Sequence, residues 1–548
     1  MDTKAPSLHA DTHQVFNVAS HLTDYNLYTS DHALQQAVSA LAVRPDHHQL
    51  KLFGAESGSA TMISHGFLAN EHRPVFHSHD RFGHRVDQVE YHPSYHALMQ
   101  QAISHELHAL PWKHATAGAH IQRAAMIYMQ AQVEAGHGCP ITMTFASVPV
   151  LLQEPFIAKH WLPKILSNQY DPRDLPLASK QGATIGMAMT EKQGGSDVRA
   201  NTTHAVPVYG GYELVGHKFF MSAPMCDGFL VLAQTGSGLS CFLVPRWRPD
   251  GSKNQLFIQR LKNKMGNVSN ASSEVEFRGA FGWLVGEEGR GVNTILEMVA
   301  LTRFDCALAS AGGMRQAVVQ ALHHCGQRIA FGELLIRQPL MQNVLADLLI
   351  ESEAAMLLAM RLAQVLEQSR DTAEARALFR IGTAIGKFWN CKQVAAHAVE
   401  AMECIGGSGV MEDSIMPRLY REAPVNAIWE GSGNVQCLDV LRTIQKAPEA
   451  LEALLDELRL TEGMDPHYDE ALTRLHAQLQ HQDNLPYRAR MLVEQMARLW
   501  QASLLLRYGD KSVTEGYLLS RLNGECHTQY GTLPEGVDVQ AIIQRGKV

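Results

Sequence analysis

The sequence predicts a mainly helical chain with one β-domain set in its middle, in the order helices, β-domain, helices, more helices. Three observations predict it. Apolar residues recur three and four apart through YHALMQQAISHELHAL and QRAAMIYMQAQVEAG. The period then changes to short β-rich runs, GYELVGHKFFMSA, GFLVLAQT, GLSCFLVPR and SSEVEFRGAFGWLV, separated by Gly, Asp and Ser. Beyond the glycine turn GEEGRGVN the helical pattern returns and holds for the rest of the chain.

In chain order, residues 1–30 lack periodicity and read as an N-terminal arm, followed by a helical domain over 31–183 and a β-domain over 184–285. Residues 286–446 contain three segments, 291–325, 339–367 and 373–405, each long enough for a bundle helix. The pattern shifts again over 447–548, where APEALEALLDELRL and DPHYDEALTRLHAQLQ are amphipathic and NLPYRARMLVEQMARLWQASLLLRY is a long apolar helix. This last stretch reads as an appended helical domain. A chain of 548 residues is too long for one core, in keeping with several domains.

Composition bounds the function. With 46% hydrophobic and 19% charged residues the chain is of ordinary globular type. No apolar segment follows the single lysine of MDTKAPSLHADTHQVFN, and the longest apolar stretch, AAMLLAMRLAQVL, is broken by Arg361. The expectation is a cytoplasmic protein with no membrane partner. Nine scattered cysteines, Cys526 among them, form no CxxC and predict reduced thiols. His77 and His79 in HSHD, and His92 and His96 at helical spacing, are of metal-ligating type, but no carboxylate or cysteine completes a ligand pattern. No metal is predicted. The net charge of −8 disfavours attraction of a polyanion by the whole chain, so nucleic-acid binding needs a local basic patch.

Four stretches carry candidate chemistry. In GMAMTEKQGGSDVRANT, Thr190, Gly194, Gly195, Ser196 and Asp197 form a turn of small side chains. Such a turn offers backbone N–H groups and hydroxyls to phosphates or a ring edge, and equally makes an ordinary hairpin. CIGGSGVMED is a second glycine loop, without the strand and spacing of a dinucleotide fold. QRIAFGE sets Arg328 three residues before Phe331, a cation and an aromatic near a helix end, where a cap or a salt bridge is the alternative. NAIWEGSGN places Glu430 between Trp429 and a flexible Gly-Ser-Gly, a carboxylate where a packed segment becomes a loop.

Taken together, MTEKQGGSD, GHKFFMSAP, GEEGRGV, QRIAFGE, IGGSG and WEGSGNVQCLDVLR resemble the motifs of the acyl-CoA dehydrogenases, in that family's order over about residues 180–440. The resemblance implies an N-terminal helical domain, a β-barrel-like middle domain and a C-terminal four-helix bundle. It implies FAD, lined by Met187, Met189, Thr190, Gly195 and Ser196, with Phe220 and Ser222 against the isoalloxazine and the Ser222 hydroxyl near its N5. Arg328, Phe331, Gly406 and Gly407 are implied to reach the FAD of a neighbouring subunit in a homotetramer, and Trp429, Ser432 and Asn434 complete the cofactor set. Glu430 is implied as the base that removes the α-proton of an acyl-CoA thioester, its pKa raised by desolvation. One branch of the family places the base instead beside the arginine of the first bundle helix. Here that place is held by Thr302 before Arg303, which leaves Glu430. Arg303 and Phe304 fall at the implied substrate pocket, where the Phe304 ring either narrows an acyl channel or packs the core.

QVEAGHGCPITMTFA, LKNKMGNVSNASSEVEF, LTRFDCALAS and RLYREAPVNAIWEGSGNVQCLDVLR, with the extra C-terminal residues, resemble the AidB-type branch, DNA-binding flavoproteins of the adaptive response to alkylation damage. That implies weak isovaleryl-CoA dehydrogenase activity, and double-stranded DNA bound and shielded through the C-terminal domain, with Arg488, Arg490 and Arg498 as candidate contacts. Over 441–548 twelve Lys and Arg stand against fifteen Asp and Glu; over 471–521 the balance is seven to four. The alternative is a metabolic short- or branched-chain acyl-CoA dehydrogenase whose C-terminal domain serves only assembly.

Overall fold

The computed structural model describes residues 12–481, 483–523 and 528–548; Cys526 and the first eleven residues of the arm lie outside them. Three short helices open the N-terminal domain, His32–Leu41, His47–Ser57 and Ala60–Glu71. Asp31, Asp46 and Ser59 start them by accepting from backbone N–H groups of the first turn. A hairpin then departs from the purely helical expectation: Val75–His79 pairs antiparallel with Arg85–Glu90. Helices resume at Pro93–Ser104, and Ala119–Val133 is buried along its entire length. That helix sits at the centre of the domain, enclosed on all sides. It buries Arg123 in a two-pronged ion pair with Asp305 (2.8 and 2.6 Å), which ties the domain to the first bundle helix.

Seven strands make the middle domain, and the sheet closes on itself. Gly228–Thr235 pairs with Gly238–Pro245, which pairs with Ser272–Val285, then Gly211–Ser222, then His204–Val208, which returns to Gly228–Thr235 at His204. Closure leaves few edges, and the barrel-like expectation holds. Ile185–Ala188 joins parallel to Gly228–Thr235, which sets Met187 at the barrel rim.

The bundle is built on Gly291–Cys325, Pro339–Gln368 and Ala373–Ile405, with Met416–Asn426 and Gly433–Lys446 packed across them. The C-terminal helices Pro448–Arg459, Pro466–Gln480, Leu485–Tyr508, Lys511–Arg521 and Val539–Gly546 do not stand apart from it. Trp500 is fully buried against Gly382, where an added Cβ would meet the ring at 2.6 Å. Trp389 donates to Gln501 (2.9 Å), and Glu457 accepts from Arg361 (2.8 Å) and Arg507 (2.5 Å). Bundle and C-terminal helices share one core. Among the described residues no helix is long and apolar enough to cross a membrane, and no three metal-ligating side chains gather.

Candidate active site

Between Met416–Asn426 and Gly433–Lys446 the chain makes a turn in which Glu430 and Gly431 both have left-handed backbone, φ +57° and +98°. For glutamate this conformation costs about 1–2 kcal/mol, so the surroundings must impose it. They do so through the turn's carbonyls. Lys387 reaches from the third bundle helix to donate to the carbonyls of Trp429 (2.8 Å) and Gly431 (2.6 Å). Arg303 Nε and Gln436 Nε2 donate to the Glu430 carbonyl at 2.9 and 3.1 Å, and Asp439 pairs with Arg303 at 2.9 Å. Gly431 is needed for space as well as conformation, since a Cβ there would come within 2.8 Å of Gln436.

The Glu430 side chain is therefore presented by a turn clamped from the first and third bundle helices and from the helix that follows it. Its Oε2 accepts from Thr302 Oγ1 at 2.8 Å. Burial raises its pKa above the ordinary carboxylate value, while the Thr302 hydroxyl and the charges of Arg303 and Lys387 hold it down. A carboxylate can take a proton only when ionised, so any base catalysis at this position rises with pH through its own pKa. Thr302→Val removes a donor to the charged form and raises that pKa further. The acid limb of the kcat/KM–pH profile is expected to move to higher pH, and an unmoved limb would disprove the pairing.

On the barrel side Phe219 N donates to the Thr190 carbonyl (2.8 Å), which holds the Thr190 loop against the strand that carries Phe220. The loop is anchored below by the buried Lys218–Glu191 pair (2.9 Å), whose carboxylate also accepts from the N–H groups of Thr202 and Thr203 at 2.7 and 3.0 Å. Gly195 and Ser196 stand exposed at its tip.

Ser222 ends the strand two residues after Phe220. Lys264 donates to Asn270 O (2.7 Å), Asn267 Oδ1 (3.3 Å) and Ser272 Oγ (2.9 Å), which uses all three of its protons. Ser272 Oγ is in turn hydrogen-bonded to Ser222 Oγ at 3.1 Å, which holds the Ser222 hydroxyl in place. Cys139 lies between the halves of the site, its thiol pushed up to about 11 by burial, with Ser222 and Asn270 beside it and Glu430 in electrostatic reach.

The arrangement fits a flavin. Phe220 leaves 44% of its surface open beside half-buried Met187 and Met189, and the Ser222 hydroxyl stands at the edge of that apolar shelf. A planar ring with an acceptor nitrogen at its rim matches both features.

The predicted residues fall into separate groups. Thr302, Arg303 and Glu430 come together at the clamped turn, and Met187, Thr190, Phe220 and Ser222 at the barrel rim. Arg303 is engaged in holding the turn. Phe304 does not face a channel: it is buried with its ring against Phe379, so core packing is the outcome of the two readings. Arg328 and Phe331 lie beyond the end of the first bundle helix, with Phe331 98% exposed, and Gly406 and Gly407 lie beyond the end of the third, with open space around them. Trp429 donates to Asn426 (3.1 Å), Ser432 precedes the next helix as its cap residue, and Asn434 is exposed in its first turn. The three C-terminal arginines do not form one patch. Arg488 binds Gln478 (2.7 Å) and the carbonyls of His481 and Asp483, Arg490 is exposed, and Arg498 pairs with Glu494 (2.8 Å) over the Trp389 ring. Sequence reasoning missed Lys387, which lies in no motif, and gave no role to Gln436 and Lys264, although both fall inside quoted motifs, WEGSGNVQCLDVLR and LKNKMGNVSNASSEVEF.

Comparison with known proteins agrees with this geometry. Residues 17–172 match the family model of the adaptive response protein AidB N-terminal domain, 186–280 the acyl-CoA dehydrogenase middle domain, and 289–445 the acyl-CoA dehydrogenase C-terminal domain. A relative from Escherichia coli (strain K12), putative acyl-CoA dehydrogenase AidB, is 47% identical over 475 residues, 86% of this chain and 88% of its own. Acyl-CoA dehydrogenase family member 11 of Caenorhabditis elegans is 30% identical over 82% of this chain and 76% of its own. The crystal structure of C. elegans ACDH-11 in complex with C11-CoA superposes with a TM-score of 0.84 at 26% identity, covering 98% of this chain and 93% of that one.

Proposed function

Because the chain belongs to the acyl-CoA dehydrogenase family, on its AidB-type branch, we propose that Glu430 is the base of an acyl-CoA oxidation carried out with FAD. The observation that carries this is the clamped turn: a partly buried carboxylate of raised pKa, held in strained backbone by Lys387, Arg303 and Gln436. The enzyme is an FAD-dependent oxidoreductase. When bound, the flavin supplies the acceptor for the β-hydrogen of the thioester as hydride. Glu430 takes the α-proton, and desolvation brings its basicity nearer that of the carbon acid. Thr302 orients the carboxylate and keeps it ionised. The Ser222 hydroxyl, held by Lys264 through Ser272, is placed to hydrogen-bond the rim of the flavin ring. Titrating the flavin-loaded protein with isovaleryl-CoA in the absence of oxygen tests the reading, since an open and competent pocket bleaches the flavin.

The finer reading follows the AidB-type branch: the protein binds double-stranded DNA through its C-terminal helices and protects it from alkylation, with weak dehydrogenase turnover, as a cytoplasmic homotetramer. Exposed apolar residues support assembly. Asn17 exchanges two hydrogen bonds with the backbone of Ile329 (2.8 and 2.7 Å), which lays the arm with exposed Val15, Phe16 and Val18 along the segment that carries exposed Phe331. Of the three candidate arginines, Arg490 is the exposed one. Arg490→Ala is expected to weaken DNA binding alike for all sequences and to lower the salt slope by about one. Arg498→Ala, which breaks an ion pair within the helix, is expected to do less. A gel shift over a salt series in which neither variant differs from wild type would move the site elsewhere. The second reading, a metabolic dehydrogenase with a purely structural C-terminal region, is favoured by the core those helices share with the bundle. Efficient turnover of short branched acyl-CoA without a salt-dependent gel shift would select it.

A further inference from the structure

The loop 262–271 joins the barrel strands Leu256–Leu261 and Ser272–Val285 and is pinned against the helix Met416–Asn426. An added Cβ at Gly266 would meet the Arg421 carbonyl oxygen at 2.2 Å, and Asn267 N donates to Glu422 at 2.7 Å. The loop carries Lys264, a partly buried cation whose three acceptors, the Asn270 backbone carbonyl, the Asn267 side-chain carbonyl and the Ser272 hydroxyl, are all neutral. Among the described residues no carboxylate pairs with it. Glu134 and Glu422 act on it only through space: Glu134 is engaged with His137 (2.7 Å) and Ser269 (2.8 Å), and Glu422 with Asn267.

Burial lowers the Lys264 pKa to about 8, with Cys139, Glu422 and Glu134 acting against the fall, so the ammonium keeps its charge at neutral pH. The Cys139 thiol is itself pushed up to about 11 and stays neutral. A desolvated charge without a counter-charge is costly, and that cost falls when an anion forms nearby. One place for such an anion is close. Lys264 Nζ is two hydrogen bonds, 2.9 and 3.1 Å long, from Ser222 Oγ at the edge of the flavin shelf. The oxidised flavin ring is uncharged, whereas the hydride it takes from a thioester brings two electrons and one proton and leaves the ring negative. Across protein rather than bulk water, the Lys264 charge attracts the reduced ring and not the oxidised one.

We infer that Lys264 is a positioning residue whose charge, set behind Ser222, makes the bound flavin easier to reduce. The inference rests on the reading of the Phe220 shelf as the flavin's seat. The test is the midpoint potential of the FAD-loaded wild type, Lys264→Gln and Lys264→Met, from reductive titration against an indicator dye with no acyl-CoA present. Both substitutions remove the charge, and Lys264→Gln retains an amide that can donate to the same acceptors. Each is expected to lower the equilibrium constant for two-electron reduction about tenfold, which is a fall of about 30 mV. A wild-type potential in both variants would overturn the inference, and a fall in Lys264→Met alone would overturn it too, by assigning the effect to the hydrogen bonds. Loss of flavin from both would make Lys264 a residue of the fold only. Ser222→Ala separates the inference from the seat: a potential that moves in this variant but not in those of Lys264 keeps the seat and rejects the role of Lys264, and one that moves in none removes both. Because no thioester is used, failure of Glu430 as the base shows only in the isovaleryl-CoA bleaching and leaves this measurement untouched.

Discussion

Glu430→Gln is expected to lower acyl-CoA oxidation by about 10²–10⁴-fold, the range a positioned general base contributes, with the flavin still bound and yellow. The fold should tolerate the change. The turn is held by its carbonyls through Lys387, Arg303 and Gln436, none of which touches the carboxylate, and glutamine fills the same volume with an oxygen that Thr302 can still reach. The wild-type carboxyl has a raised pKa, so the folded state favours its neutral form. Its contribution to stability is complete below the unfolded carboxyl pKa and is lost as pH rises through the folded value. An uncharged amide has no such loss and should cost nothing near neutrality. The check is anaerobic bleaching with isovaleryl-CoA alongside a thermal melt. A variant that bleaches as fast as wild type would dismiss Glu430 as the base.

Arg123→Ala should destabilise the folded chain by about 3–5 kcal/mol, the usual penalty for removing one member of a buried ion pair. Arg123 lies on the fully buried helix, and its loss strands Asp305 with Thr142 (2.7 Å) as its remaining side-chain donor. It also takes a guanidinium from the face of Phe145, 3.4 Å from the ring centroid, and a donor from the Leu107 carbonyl. Replacing both members, as in Arg123→Met with Asp305→Leu, should recover much of the loss, because no charge is then left uncompensated. Denaturant unfolding of the three proteins decides this, and a single variant within 1 kcal/mol of wild type would refute it.

The parts of this molecule legible in the sequence are those whose signal is local. The shift from helical to strand period marks the barrel to within a few residues, since alternation and turn residues act over short windows. WEGSGN reveals Glu430 because a lone carboxylate between a bulky aromatic and a Gly-Ser-Gly is a local pattern that also matches the family motif. The hairpin at 75–90 stayed hidden because VFHSH and RVDQVE are short, polar and flanked by strong helices. Lys387 and Lys264 were invisible for a different reason: a single lysine looks solvated until the fold shows which carbonyls surround it. Phe304 shows the same limit, since its position in the motif left channel and core equally open and only the packing against Phe379 decides for the core.

The indole of Trp500 pressed onto Gly382 bears on how such a chain can arise or be dismantled. A tail that met the trunk through an ordinary surface could be gained by fusion and lost by truncation, each in one genetic event. Here the trunk carries a notch shaped for the tail, and any larger residue at 382 would refuse it. Trunk and tail fit as one packed unit, so the C-terminal helices, lifted onto another protein, would leave Trp500 and its neighbours without the surface they pack on.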